Sequence, residues 1–330
     1  MRTYKQLTQE QRYFIYQLNK IEYSHADIAR EIGVHKTTIG RELRRNSGNR
    51  GYRPKQAHIK ASDRRSGADK AVKMTQPNIE LVEEKLFEQW SPEQVSGWLQ
   101  TEHSFSLSHE RIYQHIWKNK RQGGDLYQHL RRQGKKYQKR GSNGKQSRGQ
   151  IIGRVSIDER PQVVDDKLRV GDWEIDTVIG KGHSGALVTI VERKTLYTLI
   201  AQVNGKHADW VTQATIKLLT PFIDRTHSIT ADNGKEFAYH KKITEALDTA
   251  FYFAHPYHSW ERGLNENTNG LIRQYFPKNT DFKTVDEKDV YNVMQKLNNR
   301  PRKSLGFKTP LQMMQKSFAR SGINCVALQS

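Results

Sequence analysis

Cysteine is almost absent from this chain. A single Cys325 in 330 residues excludes an internal disulfide and any zinc site built on thiolates; with no motif around it, it reads as a bland free thiol. Apolar length is also missing. No run reaches the roughly 18 residues of a spanning helix, and the opening MRTYKQLTQEQRYF lacks the apolar stretch of a signal peptide. The expectation is a cytoplasmic protein with no membrane partner. Acid is in short supply: 35 Asp plus Glu stand against 55 Lys plus Arg, a formal net charge of +20. Such a surface attracts polyanions, nucleic acid first and an anionic membrane second.

What is present falls into zones. Residues 1–60 are polar, basic and helix-patterned, and residues 75–120 repeat that style. From 120 to 148 runs a tract with ten Lys or Arg and one acid, Asp125, ending in GSNGKQSRGQ. It reads as a flexible linker over 121–160 whose cations also suit DNA phosphates. Beyond residue 160 the pattern changes to strands. Residues 170–179 alternate in polarity; ALVTIVE and TLYTLIAQV complete a three-strand meander. A helix through HADWVTQATIKLLT follows, then the strand HSITAD, a helix, the strand TAFYFA and a last helix through LNENTNGLIRQYF. The order β-β-β-α-β-α-β-α predicts an α/β domain over 161–320: a mixed five-stranded sheet with helices on both faces. That order is similar to the ribonuclease-H-like fold.

The N-terminal zone carries a helix-turn-helix pattern. Thr8 caps a first helix with Gln11 in the capping-box position. Ser24 caps a second, Gly33 allows a tight turn, and a third helix starts near His35. Ile28, Ala29, Ile32, Val34, Ile39 and Leu43 supply the apolar face. The third helix offers His35, Lys36, Thr37, Thr38 and Arg41 to a major groove. Thr and Arg suit base edges; Lys36, Arg44 and Arg45 suit phosphates. An ordinary helical hairpin gives the same periodicity, but the strong positive charge favours DNA. WSPEQVSGWLQ and SLSHERIYQHIW give a weaker second match over 75–120, with Ser91 and Ser108 as caps and Arg111 on the outward side. An aromatic-filled helical pair without DNA contacts is the competing reading there.

Metal-assisted phosphodiester chemistry needs carboxylates converging from different elements, around two ions about 3.5–4 Å apart. Three acids suit. Asp176 lies mid-strand in WEIDTVIG, where an acid is unfavourable unless it faces a site. Asp232 ends a strand, where ligands collect in α/β sheets. Glu266 lies on the last helix among Asn265, Asn267 and Asn269. Asn269 and Arg273, three and seven residues on, share its face; Arg273 suits a DNA phosphate and Asn269 a DNA contact beside it. Asp172 and Glu174 share strand parity with Asp176, so spacing alone leaves the strand's acid open. Asn298, Arg300, Arg302 and Lys303 form a basic turn around Pro301 that suits phosphate contacts. Tyr257, His258 and Trp260 suit either stacking on an unpaired base or anchoring a loop.

GDWEIDTVIG, ITADNGKEFAYH and HSWERGLNENTNGLIRQYFPKNTDF together resemble the IS-thirty family of bacterial insertion-sequence transposases, a branch of the DDE transposases and retroviral-type integrases. The N-terminal helices and LNNRPRKSLGFKTP match it too. The resemblance implies that Asp176, Asp232 and Glu266 bind Mg²⁺, two ions with Mn²⁺ as a substitute. It implies double-stranded DNA as partner (terminal inverted repeats and target), a homo-oligomer of at least two copies on paired ends, and a nucleoid-associated setting. Three positions depart from it: His255 stands where many relatives have Asp, Leu264 where many have Thr or Ser, and Gln312 where an acid is frequent. The expected reaction is cleavage at an element end and transfer of the freed 3′ hydroxyl. A regulator with lost catalysis predicts a broken triad, an architectural DNA-bridging protein predicts no Mg²⁺ dependence, and an RNA nuclease fits poorly with groove-reading helices.

Overall fold

The computed structural model describes residues 6–68, 73–103, 105–131, 151–256, 258, 261 and 263–319. Tyr257, Trp260, Cys325 and most of the basic tract lie outside the described residues. The chain divides into two compact units, Met1–Lys73 and Met74–Ser330.

The first unit holds α1 (Gln9–Lys20), α2 (His25–Ile32), α3 (Lys36–Asn46) and α4 (Pro54–Ser66). Thr8 and Gln11 form the reciprocal capping box on α1, and the Ser24 hydroxyl accepts from Asp27 N–H at the start of α2. Gly33 ends α2 with φ near +73°, a left-handed conformation that glycine adopts at little cost. Ile15, Ile28 and Ile39 are fully buried between the helices, with Ala29, Tyr52 and Ala57 beside them. The unit therefore extends beyond residue 60, because α4 closes its core through Ala57.

The second unit begins with α5 (Gln76–Phe87), α6 (Pro92–Glu102) and α7 (His109–Arg121). Val82, Leu86, Val95, Leu99, Ile112 and Ile116 make their shared core, and Ser91 with Gln94 forms a second capping box. These helices are not a separate module. Gln94 Nε2 donates to Pro301 O across 2.9 Å, and a Cβ at Gly97 would stand 2.1 Å from the Phe307 ring. The α6 face is thus pressed onto a loop more than 200 residues away in sequence.

The sheet has six strands rather than five: β1 (Val155–Ser156), β2 (Asp172–Ile179), β3 (Ala186–Glu192), β4 (Thr198–Val203), β5 (Ser228–Ala231) and β6 (Ala250–Phe253), in spatial order β1-β6-β5-β2-β3-β4. The meander β2-β3-β4 is antiparallel, and β5 and β6 join parallel to it. The extra strand β1 is two residues at the edge beside β6, too short to give a periodic signal. It draws residues 151–160 out of the expected linker, and Ile151 is buried in the core. Helices α9 (Ala208–Leu219), α10 (His240–Leu247) and α13 (Pro310–Ala319) cover one face with Trp173, Ile175, Ile229 and Phe253. Helices α11 (Gly263–Tyr275) and α12 (Glu287–Asn298) cover the other with Val178, Leu187, Ile200 and Phe282. The short α8 (Gln162–Asp165) lies before β2. Gly171, just before β2, has φ near +109°, and a Cβ there would stand 1.7 Å from Arg225 O. Among the described residues no helix is long and apolar enough to cross a membrane.

Candidate active site

Strands β2 and β5 run side by side with Asp172 opposite Ser228 and Glu174 opposite Thr230. Continuing that register by two residues sets Asp232 level with Asp176, each at the C-terminal side of its pairing. Side chains two apart share a face. Asp176 and Asp232 therefore point to the α11 side, opposite the face filled by Trp173, Ile175, Ile229 and Ala231. The chain turns at once after Asp232, whose Oδ1 accepts from Gly234 N–H at 2.8 Å.

Helix α11 lies across that face. Asn269 Nδ2 donates to Asp176 Oδ2 at 2.9 Å, and its Oδ1 accepts from the Thr189 hydroxyl at 3.1 Å. Thr189 stands opposite Asp176 on β3. The second Asp176 oxygen accepts from Thr177 N–H at 2.8 Å. Glu266, exposed on α11, sits one turn before Asn269 on the same side. The three acids are not drawn into one tight group: among the described residues, the one group of three whose ligand atoms all lie within 4.8 Å of one another is His255, His258 and Glu261.

The competing acids on β2 are engaged elsewhere. Asp172 is buried, chelated by Arg169 at 2.9 and 3.0 Å, and accepts from the Ser228 hydroxyl at 2.6 Å. Glu174 is buried and paired with the Arg193 guanidinium. Both carboxylates thus carry arginine partners, while Asp176 is half-buried just past the last residue of β2 paired with β5.

A fourth carboxylate, Glu236, stands beside this set. Its Oε1 accepts from the Thr177 hydroxyl at 3.0 Å, and a Cβ at Gly234 would stand 2.5 Å from Glu236 Oε2 and 2.8 Å from Asp232 Oδ1. Glycine at 234 lets the two acids approach across the turn. Sequence reasoning passed over Glu236, although its place four residues after Asp232 in ITADNGKEF was visible.

Similarity to known proteins bears on this arrangement. Residues 3–46 match the model of a helix-turn-helix domain. The chain is 46% identical over 321 residues to the transposase for insertion sequence element IS4351 of Bacteroides fragilis, covering 97% of this chain and 98% of that protein. The chain belongs to the IS-thirty family of insertion-sequence transposases. Transposase InsI for insertion sequence element IS30A of Escherichia coli K12 is 36% identical over 312 residues, 88% of this chain and 79% of that one. The catalytic core domain of BIV integrase, a solved structure, is similar over 46% of this chain and 99% of its own, at 16% identity and a TM-score of 0.37.

In this member of the family the helix-turn-helix shows its cations outward. His35, Lys36, Thr37, Arg41, Arg44 and Arg45 are exposed and Thr38 is partly so. His35 is the N-cap of α3 rather than its first residue, its Nδ1 accepting from Thr37 N–H. Beneath them lies a buried ion pair that sequence spacing did not suggest. Arg12 Nε donates to Glu42 Oε1 at 2.7 Å, Arg12 Nη1 donates to Leu7 O, and Tyr52 Oη donates to the same Glu42 oxygen. Burial, with Glu42 beside it, pushes the Tyr52 hydroxyl well above its ordinary range. In the second unit Arg111 is exposed on α7 and donates to Gln114 Oε1 at 3.1 Å.

The basic turn around Pro301 is largely turned inward, which corrects its reading as a phosphate surface. Arg300 is 3% exposed; its Nη2 donates to Gln89 O at 2.6 Å and to Tyr275 Oη at 2.8 Å, and its Nη1 to Gln274 Oε1. Asn298 is fully buried and bonds both Thr198 N–H and Thr198 O. Arg302 is partly buried and donates to Leu297 O; burial and then the Arg300 charge lower its pKa. Lys303 is exposed but paired with Glu93 at 2.6 Å. Arg273 is also committed within the fold. Its Nη2 donates to Ile179 O at 2.6 Å and its Nη1 to Pro277 O, tying α11 to the end of β2. A cavity of about 470 Å³ near Thr195, Arg225 and Met313 contains none of the acids. A surface that receives a duplex is open, so enclosure is no guide to it.

Proposed function

We propose that this protein recognises the terminal inverted repeats of an insertion sequence and cuts and joins DNA strands at Asp176, Asp232 and Glu266. The observation that supports this most is the hydrogen bond from Asn269 to Asp176. It ties the helix that carries Glu266 to the strand that carries Asp176, with Asp232 level on the neighbouring strand.

The donor set is carboxylate oxygen throughout, which fits Mg²⁺ with Mn²⁺ as a substitute. Asp176, Asp232 and Glu266 would hold two ions. Ions bound there activate the attacking oxygen and stabilise charge on the leaving 3′ oxygen. The chain's own residues set the stage. Asn269 and Thr177 N–H orient Asp176, Gly234 N–H orients Asp232, and Arg273 fixes α11 against β2. The α3 side chains choose the DNA: Thr37, Thr38 and Arg41 face base edges, while Lys36, Arg44 and Arg45 face phosphates. Arg111 on α7 adds a phosphate contact. Joining two ends requires them to be held together, so the working form is at least a dimer on paired ends.

The test is cleavage of a duplex bearing the element's end, with Mg²⁺, by wild type and Glu266→Gln. Wild type should cut and the variant should bind without cutting. Equal cutting by both would remove Glu266 from this reading; binding by wild type without any Mg²⁺-dependent cutting would favour a regulatory or architectural DNA-binding protein.

A further inference from the structure

His255, His258 and Glu261 stand between β6 and α11 and are separate from the acids assigned above. Their ligand atoms all lie within 4.8 Å of one another. His255 Nδ1 is 2.8 Å from Glu261 Oε1, and His258 Nδ1 is 3.2 Å from the same oxygen. A tetrahedral ion with bonds of about 2.0–2.1 Å separates its ligands by about 3.3 Å. The two His–Glu separations fall short of that by only about 0.5 and 0.1 Å.

We propose that His255, His258 and Glu261 bind a transition-metal cation of the zinc class, distinct from the ions of the carboxylate site. Two imidazole nitrogens and one carboxylate oxygen suit Zn²⁺, whereas Mg²⁺ prefers oxygen alone. The supporting contacts are already in place. His255 Nε2 lies 2.9 Å from Asp158 Oδ2, the carboxylate–histidine arrangement that orients a ligating ring and raises its basicity. Asp158 is itself fixed by the Ser156 hydroxyl, which donates to Oδ2 at 2.7 Å. The second Glu261 oxygen accepts from His255 N–H at 2.8 Å. A carboxylate oxygen only accepts, so the imidazole Nδ1 atoms facing Glu261 carry protons there. The cation takes their place: His255 releases its Nδ1 proton to solvent and keeps its Nε2–H on Asp158, while His258 ligates through Nδ1 as the neutral tautomer with its proton on Nε2. With three protein ligands, the fourth position remains for water.

The site's consequence follows from its place in the chain. His255 follows β6 by two residues, and Glu261 precedes α11 by two. A cation there clips the end of a strand to the entry of the helix on which Glu266 sits. That consequence rests on the reading of Glu266 given above; the binding itself does not.

The experiment uses the full chain with Asp176→Asn, Asp232→Asn and Glu266→Gln installed, freed of metal by a chelator and kept in excess Mg²⁺. Co²⁺ is the probe, read by its visible absorption, and Zn²⁺ is titrated by calorimetry. One ion per chain with tetrahedral Co²⁺ absorption is expected. His255→Ala and Glu261→Gln should each weaken binding at least about tenfold, and Asp158→Ala by about 10–100-fold. Circular dichroism of the metal-free proteins checks that each variant folds. No Co²⁺ or Zn²⁺ binding, or equal binding by the folded His255 and Glu261 variants, overturns the proposal and leaves the cluster a hydrogen-bonded network. Because the three acids are already neutralised, either result leaves the cleavage reading standing.

Discussion

Asn269 Nδ2 donates to Asp176 Oδ2 across 2.9 Å, so α11 and β2 meet at the carboxylate itself. The same amide accepts from Thr189 on β3, which fixes which end of it faces the acid. Helical spacing makes this asparagine a candidate DNA contact; in the structure its amide is bonded to Asp176 and Thr189.

Asn269→Ala should therefore slow strand cleavage by about 10–100-fold, the usual cost of losing a group that orients a metal ligand. The Mg²⁺ concentration needed for half-maximal activity should rise, while DNA affinity measured without metal should not change. An unchanged Mg²⁺ requirement would mean that the contact does not orient Asp176.

Glu42→Ala should destabilise the first unit by about 3–5 kcal/mol, because Arg12 would be left charged and buried without its partner. Replacing both residues with apolar ones, Arg12→Met with Glu42→Leu, should recover most of that loss. Urea unfolding read by circular dichroism measures both. Equal stability of Glu42→Ala and wild type would refute the role given to the pair.

Arg41→Ala should weaken binding to the element's end more than binding to unrelated duplex. Arg44→Ala should weaken both alike and reduce the salt slope by about one. Titrations of both duplexes at several salt concentrations separate the two; equal losses for Arg41→Ala would make it a phosphate contact.

Arg300→Ala should cost stability rather than DNA affinity. Its removal leaves Gln89 O and Tyr275 Oη without a donor they now have, roughly 1–3 kcal/mol for each buried group left unsatisfied. The melting temperature should fall while the salt dependence of DNA binding stays as in wild type. A smaller salt slope with unchanged melting would restore Arg300 to the phosphate surface.

Much of the local architecture is legible in the sequence because it is set over a few residues. Thr8 with Gln11, Ser24 and Ser91 with Gln94 cap helices where their spacing says they should. Gly33 turns the chain, and alternation places the meander and the later strands in order. The family resemblance rests on motifs of the same short range. Tertiary structure decides what depends on partners far along the chain. Asp172, Glu174 and Asp176 share a face and look alike by period; Arg169 and Arg193 take the first two. Arg300 looks like one more surface cation until the α5–α6 turn and α11 close around it. The two-residue β1 exists because β6 offers it an edge, and no pattern that short announces itself. Period and capping act through neighbouring residues, whereas the environment of a charge is set by whatever the fold brings against it. The sequence could therefore name Asp176 and Asp232 as candidates, and only the fold could set them level on adjacent strands with Asn269 holding the first in place.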